Sequence, residues 1–235
     1  MHDDCLTFDL ICFDLDGTLV DTASEIAEAV NLALETHGIE RRPVAEITLL
    51  IGAGTADLMR RLLERLVQEQ PALAPRAQLP GLLQTLDGCY ARTTGTLARP
   101  YPGCGQALAD LRAAGLRLAC VTNKEIRHAR AVLSATQLDA WFDLTVGGDS
   151  LPHKKPDARV LQHVATALGT STLRTAHVGD SSTDVLAARN AGVAAWAVPY
   201  GYNAGRPIEE AQPDRIFQTL GEVAAHVLAL RRTAP

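Results

Sequence analysis

Hydrophobic and polar positions along this 235-residue chain fall into two regimes. The first begins with a short apolar run, Leu10-Ile11-Cys12-Phe13, of the kind that forms a buried strand. From about Ala23 to His37, Ile26, Val30, Ala33 and Leu34 share one helical face, and Gly38 follows as a C-cap. A helical turn runs from Pro43 to Leu50 and is broken by Gly52-Ala53-Gly54. From Thr55, an apolar stripe of Leu58, Leu62, Leu63, Leu66 and Val67 predicts a strongly amphipathic helix. Pro71, Pro75 and Pro80 bracket a loop, and Leu82 to Thr94 reads as a further helix. No strand pattern is visible between Thr22 and Ala98.

The second regime starts at Arg99-Pro100-Tyr101-Pro102-Gly103, after which helix and strand alternate. Predicted strands are Leu116 to Val121, Asp143 to Val146, Arg174 to Val178, Val193 to Val198 and a short one near Ile216. Predicted helices are Gln106 to Ala114, Ile126 to Thr136, Asp157 to Leu168, the segment ending at Ala191, and a last one ending at Leu230. Such alternation implies right-handed crossovers and a parallel sheet covered on both faces. The sheet also needs the strand at residues 10–13. The expected organisation is therefore an α/β core from residues 1–21 and 99–235, interrupted by a helical cap at 22–98.

Composition narrows the classes of function. A net charge of -5 argues against a broad nucleic-acid or anionic-membrane surface, so an anionic ligand must be attracted locally. Only three lysines occur: Lys124, Lys154 and Lys155. Cys5, Cys12, Cys89, Cys104 and Cys120 form no C-x-x-C pair, which favours reduced thiols over disulfides or zinc. Met1-His2-Asp3-Asp4 does not open like a signal peptide, and no apolar stretch is long enough to span a bilayer. The expectation is a soluble cytoplasmic protein, monomeric or homodimeric, with no nucleic-acid or membrane partner.

Four reactive clusters stand directly after strands or in the loops beyond them: Asp14 with Asp16, Thr122 with Asn123, Lys155, and Asp180 with Asp184. An aspartate at a strand end can simply cap a turn. Several such clusters with complementary chemistry are harder to explain that way, because the carboxyl ends of parallel strands share one edge. Clustered carboxylates suit a hard divalent cation, with Mg²⁺ the natural choice. A lysine, a threonine hydroxyl and backbone amides suit a phosphate. One carboxylate is left as nucleophile and its neighbour two residues on as proton shuttle, which is the chemistry of phosphoryl transfer.

With these residues in hand, the chain resembles the haloacid dehalogenase superfamily. Asp14-Leu15-Asp16-Gly17-Thr18 matches its D-x-D-G-T motif, Thr122 the second motif, Lys155 before Pro156 the third, and Gly179 to Asp184 the fourth. The resemblance implies a Rossmann-like doubly wound parallel sheet with a C1-type helical cap. It implies that Asp14 attacks phosphorus and that Asp16 protonates the leaving alkoxide and then activates water. Thr122, Asn123 and Lys155 would hold phosphate. Asp14, the main-chain carbonyl of Asp16, Asp180 and Asp184 would form the Mg²⁺ site, Asp184 directly or from behind the ligands.

Within the superfamily, the helical insertion and segments such as Tyr101-Pro102-Gly103 and Gly147-Gly148-Asp149 resemble the phosphoglycolate phosphatase branch. One departure is Asp157-Ala158 after Lys155-Pro156, where that branch often has a second proline. The cap contains no lysine, which sets aside phosphonate-cleaving relatives, and Asp16 sets aside dehalogenases. The expected substrate is a small phosphorylated metabolite, 2-phosphoglycolate first. Sugar or amino-sugar-acid phosphates come next, then phosphomutase activity, with a non-catalytic phosphate-binding module as the alternative from another class. In the cap, Gly52 and Gly54 are expected to let backbone close over substrate; Arg60 and Arg61 are candidates to meet a substrate carboxylate, against the commoner reading of solvated helix-surface arginines. Gly52-Ala53-Gly54 makes a poor dinucleotide-binding turn, since Asp57 stands where a third small residue is needed. His177, inside an apolar strand, reads as a core residue.

Overall fold

The computed structural model describes residues 7–233. Cys5 and the opening Met1-His2-Asp3-Asp4 lie outside the described residues, as do the outermost residues of the expected core. The chain enters through β1, Leu10–Phe13, all four residues of which are buried. β2, Val20–Asp21, leads into four helices: α1 (Ala23–Thr36), α2 (Val44–Thr48), α3 (Thr55–Glu69) and α4 (Leu79–Thr93). The return is through β3, Arg99–Pro100. Then follow α5 (Cys104–Ala113), β4 (Arg117–Val121), α6 (Ile126–Ala135), β5 (Leu144–Val146) and α7 (Ala158–Ala167). The chain closes with β6 (Thr175–Gly179), α8 (Ser182–Ala191), β7 (Ala194–Ala197), β8 (Arg215–Ile216) and α9 (Leu220–Thr233).

Six strands form one sheet in the order β5-β4-β1-β6-β7-β8, and every neighbouring pair is parallel. The alternation of β1 decides which helices go where. Ile11 and Phe13 pack with Leu108 and Leu111 of α5, Val132 and Leu133 of α6, and Val223 and Val227 of α9. Leu10 and Cys12 face the other way, toward Val160, Leu161 and Val164 of α7 and Val185 and Ala188 of α8. Burial on both faces explains why β1 reads as a continuous apolar run. Truncating one of these leucines to alanine costs about 2–5 kcal/mol.

The four helices α1–α4 have a core of their own, with Ile26, Val30 and Leu34 of α1 meeting Leu58, Met59 and Leu62 of α3 and Leu86 and Tyr90 of α4. Two features at the crossing between this helical layer and the sheet escaped the sequence pattern. β2 and β3 pair antiparallel over two residues each, too short to show a period. Glu25 on α1 is buried and its Oε2 accepts from the amides of Gly95 and Ala98, tying the helix to the returning strand. α4 also begins three residues earlier than the apolar pattern suggests. Pro80 sits in its first turn rather than in a loop, because proline lacks only an N–H that would be unbonded there anyway.

Candidate active site

Three reactive residues are each the first residue past a strand, and the three strands are adjacent. Asp14 follows β1, Thr122 follows β4 and Asp180 follows β6, in the spatial order β4-β1-β6. Their positions are pinned by the ladder continuing one step: the Asp14 amide donates to the Val178 carbonyl (2.9 Å) and the Thr122 amide to that of Val146 (3.0 Å). Lys155 arrives from the loop between β5 and α7, and Asp184 from the first turn of α8. β1 is where the strand order reverses, the point at which open α/β sheets bind ligands.

Lys155 is the electrostatic centre. Its Nζ donates to Oδ1 of Asp14 (2.7 Å), Oδ1 of Asp184 (2.7 Å) and the carbonyl of Val121 (2.6 Å). Burial works against the ammonium but is outweighed by Asp14 and Asp184, so its pKa is raised. Asp184 is held on both oxygens. Oδ1 takes Lys155 and lies 3.1 Å from His177 Nε2, while Oδ2 accepts from the amide and hydroxyl of Ser181 (3.2 and 2.5 Å). Burial would raise its pKa, yet Lys155 and His177 carry it below the ordinary carboxylate range. Ser181 and Asp184 also form the capping box of α8, so a helix signal and a site signal coincide in Gly179 to Asp184.

Asp14 and Asp180 behave oppositely. Burial, opposed by Lys155 and reinforced by Asp184, pushes Asp14 up to about 7. Asp180 is raised well above the usual range, by burial first and then by Asp184 and Asp14. It accepts from the Thr18 hydroxyl (3.2 Å) and the Tyr202 amide. Gly17 gives it room, since a Cβ there would lie 2.2 Å from Oδ2 of Asp180 and Gly17 itself has φ +90°.

One oxygen from each of Asp14, Asp180 and Asp184 lies within 4.8 Å of the others. Three buried carboxylates thus share one ammonium, a deficit of positive charge that a cation would correct. An all-oxygen donor set selects a hard divalent ion. The residues present fit Mg²⁺.

Asp16 is turned away from this cluster. Its carboxylate accepts from the Thr22 hydroxyl (2.7 Å) and lies 3.0 Å from Nζ of Lys124, a buried lysine. Asp14, Asp16, Thr122, Asn123 and Lys124 floor a cleft roofed by Ile26, Ile51, Gly52, Gly54, Leu58 and Tyr90. The cleft between floor and roof stays partly open to solvent. Asn123 spans floor and roof, donating from Nδ2 to the carbonyls of Gly52 (3.1 Å) and Lys155 (3.0 Å). Lys154 Nζ adds a second tie, to the Ala53 carbonyl (2.6 Å). Gly52-Ala53-Gly54 is a turn between α2 and α3.

Arg60 must be corrected. It projects to solvent from α3 and pairs with Asp57 (2.6 Å) and Glu64 (2.8 Å) on the same helix, away from the cleft. Its i,i+3 and i,i+4 carboxylates satisfy it locally. Lys124, Tyr90, Ser181 and His177 stand at or behind the site without having been singled out for it. For Lys124 a signal existed, since it is one of three lysines in the chain and follows Thr122 by two residues.

Fold and site together define a hydrolase of the α/β class with an aspartate-rich centre at the sheet's carboxyl edge. The haloacid dehalogenase-like hydrolase family matches over residues 8–192, and the chain belongs to that family. A Nitrosospira multiformis phosphoglycolate phosphatase is 40% identical over 214 residues, 90% of this chain and 92% of its own. The plasmid-encoded phosphoglycolate phosphatase of Cupriavidus necator is 40% identical over 192 residues, covering 82% of this chain and 81% of that one. Among solved structures, one described as a predicted phosphoglycolate phosphatase from Haemophilus somnus superposes with a TM-score of 0.87 at 30% identity, over 93% of this chain and 97% of that one. No helix of the described residues is long and apolar enough to cross a membrane.

Proposed function

We propose that this protein is a Mg²⁺-dependent phosphomonoester hydrolase whose substrate is 2-phosphoglycolate. The observation that carries the reading is the meeting of Asp14, Thr122, Asp180 and Lys155 at three adjacent strand ends, beneath a roofed cleft. The names of the relatives at 40% identity point the same way.

In this reading Asp14, carboxylate toward the cleft, attacks phosphorus and forms an aspartyl phosphate. Lys155 holds that carboxylate in place and, with the Thr122 hydroxyl, takes up charge on the phosphoryl oxygens. Asp16 gives its proton to the leaving alkoxide and then takes one from the water that hydrolyses the intermediate. Asp14, Asp180 and the main-chain carbonyl of Asp16 would hold Mg²⁺, which supplies the positive charge that keeps both buried carboxylates ionised and screens the phosphate. Asp184, with both oxygens engaged, positions Lys155 from behind. Asn123 acts on closure, joining the Gly52 turn to the Lys155 loop, rather than on phosphate alone.

Residues 1–21 and 99–235 serve as the catalytic core and 22–98 as a cap that closes over a small metabolite. The protein works in the cytoplasm as a monomer or homodimer. The substrate assignment is tested by kcat/KM in Mg²⁺ for 2-phosphoglycolate against glucose 6-phosphate. A preference on the order of 100-fold or more is expected; equal values overturn it.

A further inference from the structure

The reaction sketched above leaves one buried cation without a task. Lys124 has a side chain only 3% exposed, and its Nζ lies 3.0 and 3.3 Å from the two oxygens of Asp16 and 5.3 Å from the centre of the Tyr90 ring. It is the one cationic residue among those lining the cleft. The nearby alternatives are committed elsewhere: Lys155 has three acceptors, Lys154 holds the Ala53 carbonyl, and Arg61 pairs with Asp57 at 2.7 Å. Two carboxylates act on Lys124. Asp16 touches it, and Glu25 reaches it through space while its own Oε2 is held by the Gly95 and Ala98 amides.

We propose that Lys124 is the specificity residue of this site, its ammonium binding the carboxylate of a phosphate ester of a 2-hydroxy acid. The proposal rests on the phosphomonoesterase reading. Asp16 must meet the ester oxygen to protonate it, so the leaving group lies against Asp16. In an ester with one carbon between that oxygen and a carboxyl, the carboxylate comes within reach of whatever cation touches Asp16, and that cation is Lys124. The neighbouring roof side chains Ile26, Leu58 and Ile51 are apolar and offer no competing partner. An ester of the same length without the carboxylate leaves the buried ammonium with Asp16 alone, and a site built around a charged partner discriminates against the analogue that lacks it. If Lys124 served only to hold Asp16, its removal would penalise every ester alike.

The test compares 2-phosphoglycolate with 2-hydroxyethyl phosphate, which replaces the carboxylate by a hydroxymethyl group, as substrates for the full-length protein in Mg²⁺. Wild type should prefer 2-phosphoglycolate. Lys124→Met should cut that preference on the order of 10- to 100-fold, chiefly through the KM for 2-phosphoglycolate. Lys124→Arg should recover part of it, and Lys124→Gln gives the same ratio if the methionine variant does not fold. Equal losses on both esters would assign Lys124 to Asp16 alone and overturn the proposal while leaving the substrate reading intact. A wild type with no preference between the two esters overturns the substrate reading, and the proposal falls with it.

Discussion

The ammonium of Lys155 lies 2.7 Å from Oδ1 of Asp14, and it reaches Oδ1 of Asp184 at the same distance. One side chain thereby fixes both the carboxylate at the cleft and the one behind it. Lys155→Met would leave Asp14, Asp180 and Asp184 buried together without that charge. Breaking a buried pair in this way costs about 3–5 kcal/mol, and urea unfolding at pH 8 should record a loss of that size. At pH 5 the loss should shrink, because Asp14, raised to about 7, then carries a proton. Turnover should fall at least about 100-fold. A variant as stable as its parent at pH 8 would contradict this account of Lys155.

The raised carboxylates make the metal-free protein sensitive to pH in a definite direction. Burial holds Asp14 near 7 and moves Asp180 upward too, both above the range for an unfolded chain. A group raised in the folded state stabilises fully below its unfolded pKa, and that stability is lost as pH rises through the folded value. Between pH 5.5 and 8 Asp14 alone should therefore cost the chelated protein about 2 kcal/mol, read as the difference between wild type and Asp14→Asn. Asp184, shifted the other way, acts only in more acid solution, whereas His177, His128 and His226, all lowered chiefly by burial, gain stability as pH rises through the unfolded histidine value and oppose the trend. Saturating Mg²⁺ should flatten the curve, since carboxylate ligands bind deprotonated. Melting temperatures of wild type and Asp14→Asn, in EDTA and in Mg²⁺ at both pH values, check the claim, and a difference in EDTA between the two proteins that does not change from pH 5.5 to 8 would refute it.

Closure of the roof is expected to depend on Gly54. It has φ +90° at the start of α3, and a Cβ there would sit 3.0 Å from the Asn123 carbonyl oxygen. Gly54→Val should cost about 1–3 kcal/mol in backbone strain and push the roof off the floor. Steady-state kinetics should show kcat/KM for 2-phosphoglycolate reduced about tenfold. Unchanged kinetics would mean that this turn plays no part in closure.

Much of this was legible in the chain because the signals were strong where the physics is local. β1 is buried on both faces and reads as unbroken apolar residues, and α1 and α3 carry clear helical stripes. Asp14, Thr122 and Asp180 stood out through their places after strands, which a parallel sheet gathers at one edge, and Lys155 as one of three lysines in the chain. What stayed hidden depends on contacts between residues distant in sequence. Lys124 meets Asp16 across 108 positions, and no local pattern records that. His177 looked like core and is core, yet its Nε2 also faces Asp184. Arg60 failed the other way, since a helix-surface arginine finds carboxylates one turn away. The β2–β3 pair has two residues in each strand and no period to read.

The central claim is that Asp14 forms a bond to phosphorus, and it can be measured directly. Wild-type protein and Asp14→Asn are mixed with radiolabelled 2-phosphoglycolate in Mg²⁺ and quenched in acid during turnover. Wild type should carry hydroxylamine-labile phosphate on the peptide that contains residues 10–18, while Asp14→Asn, still folded, should show neither label nor turnover. Substantial turnover by Asp14→Asn, or label in wild type on another residue, would contradict it.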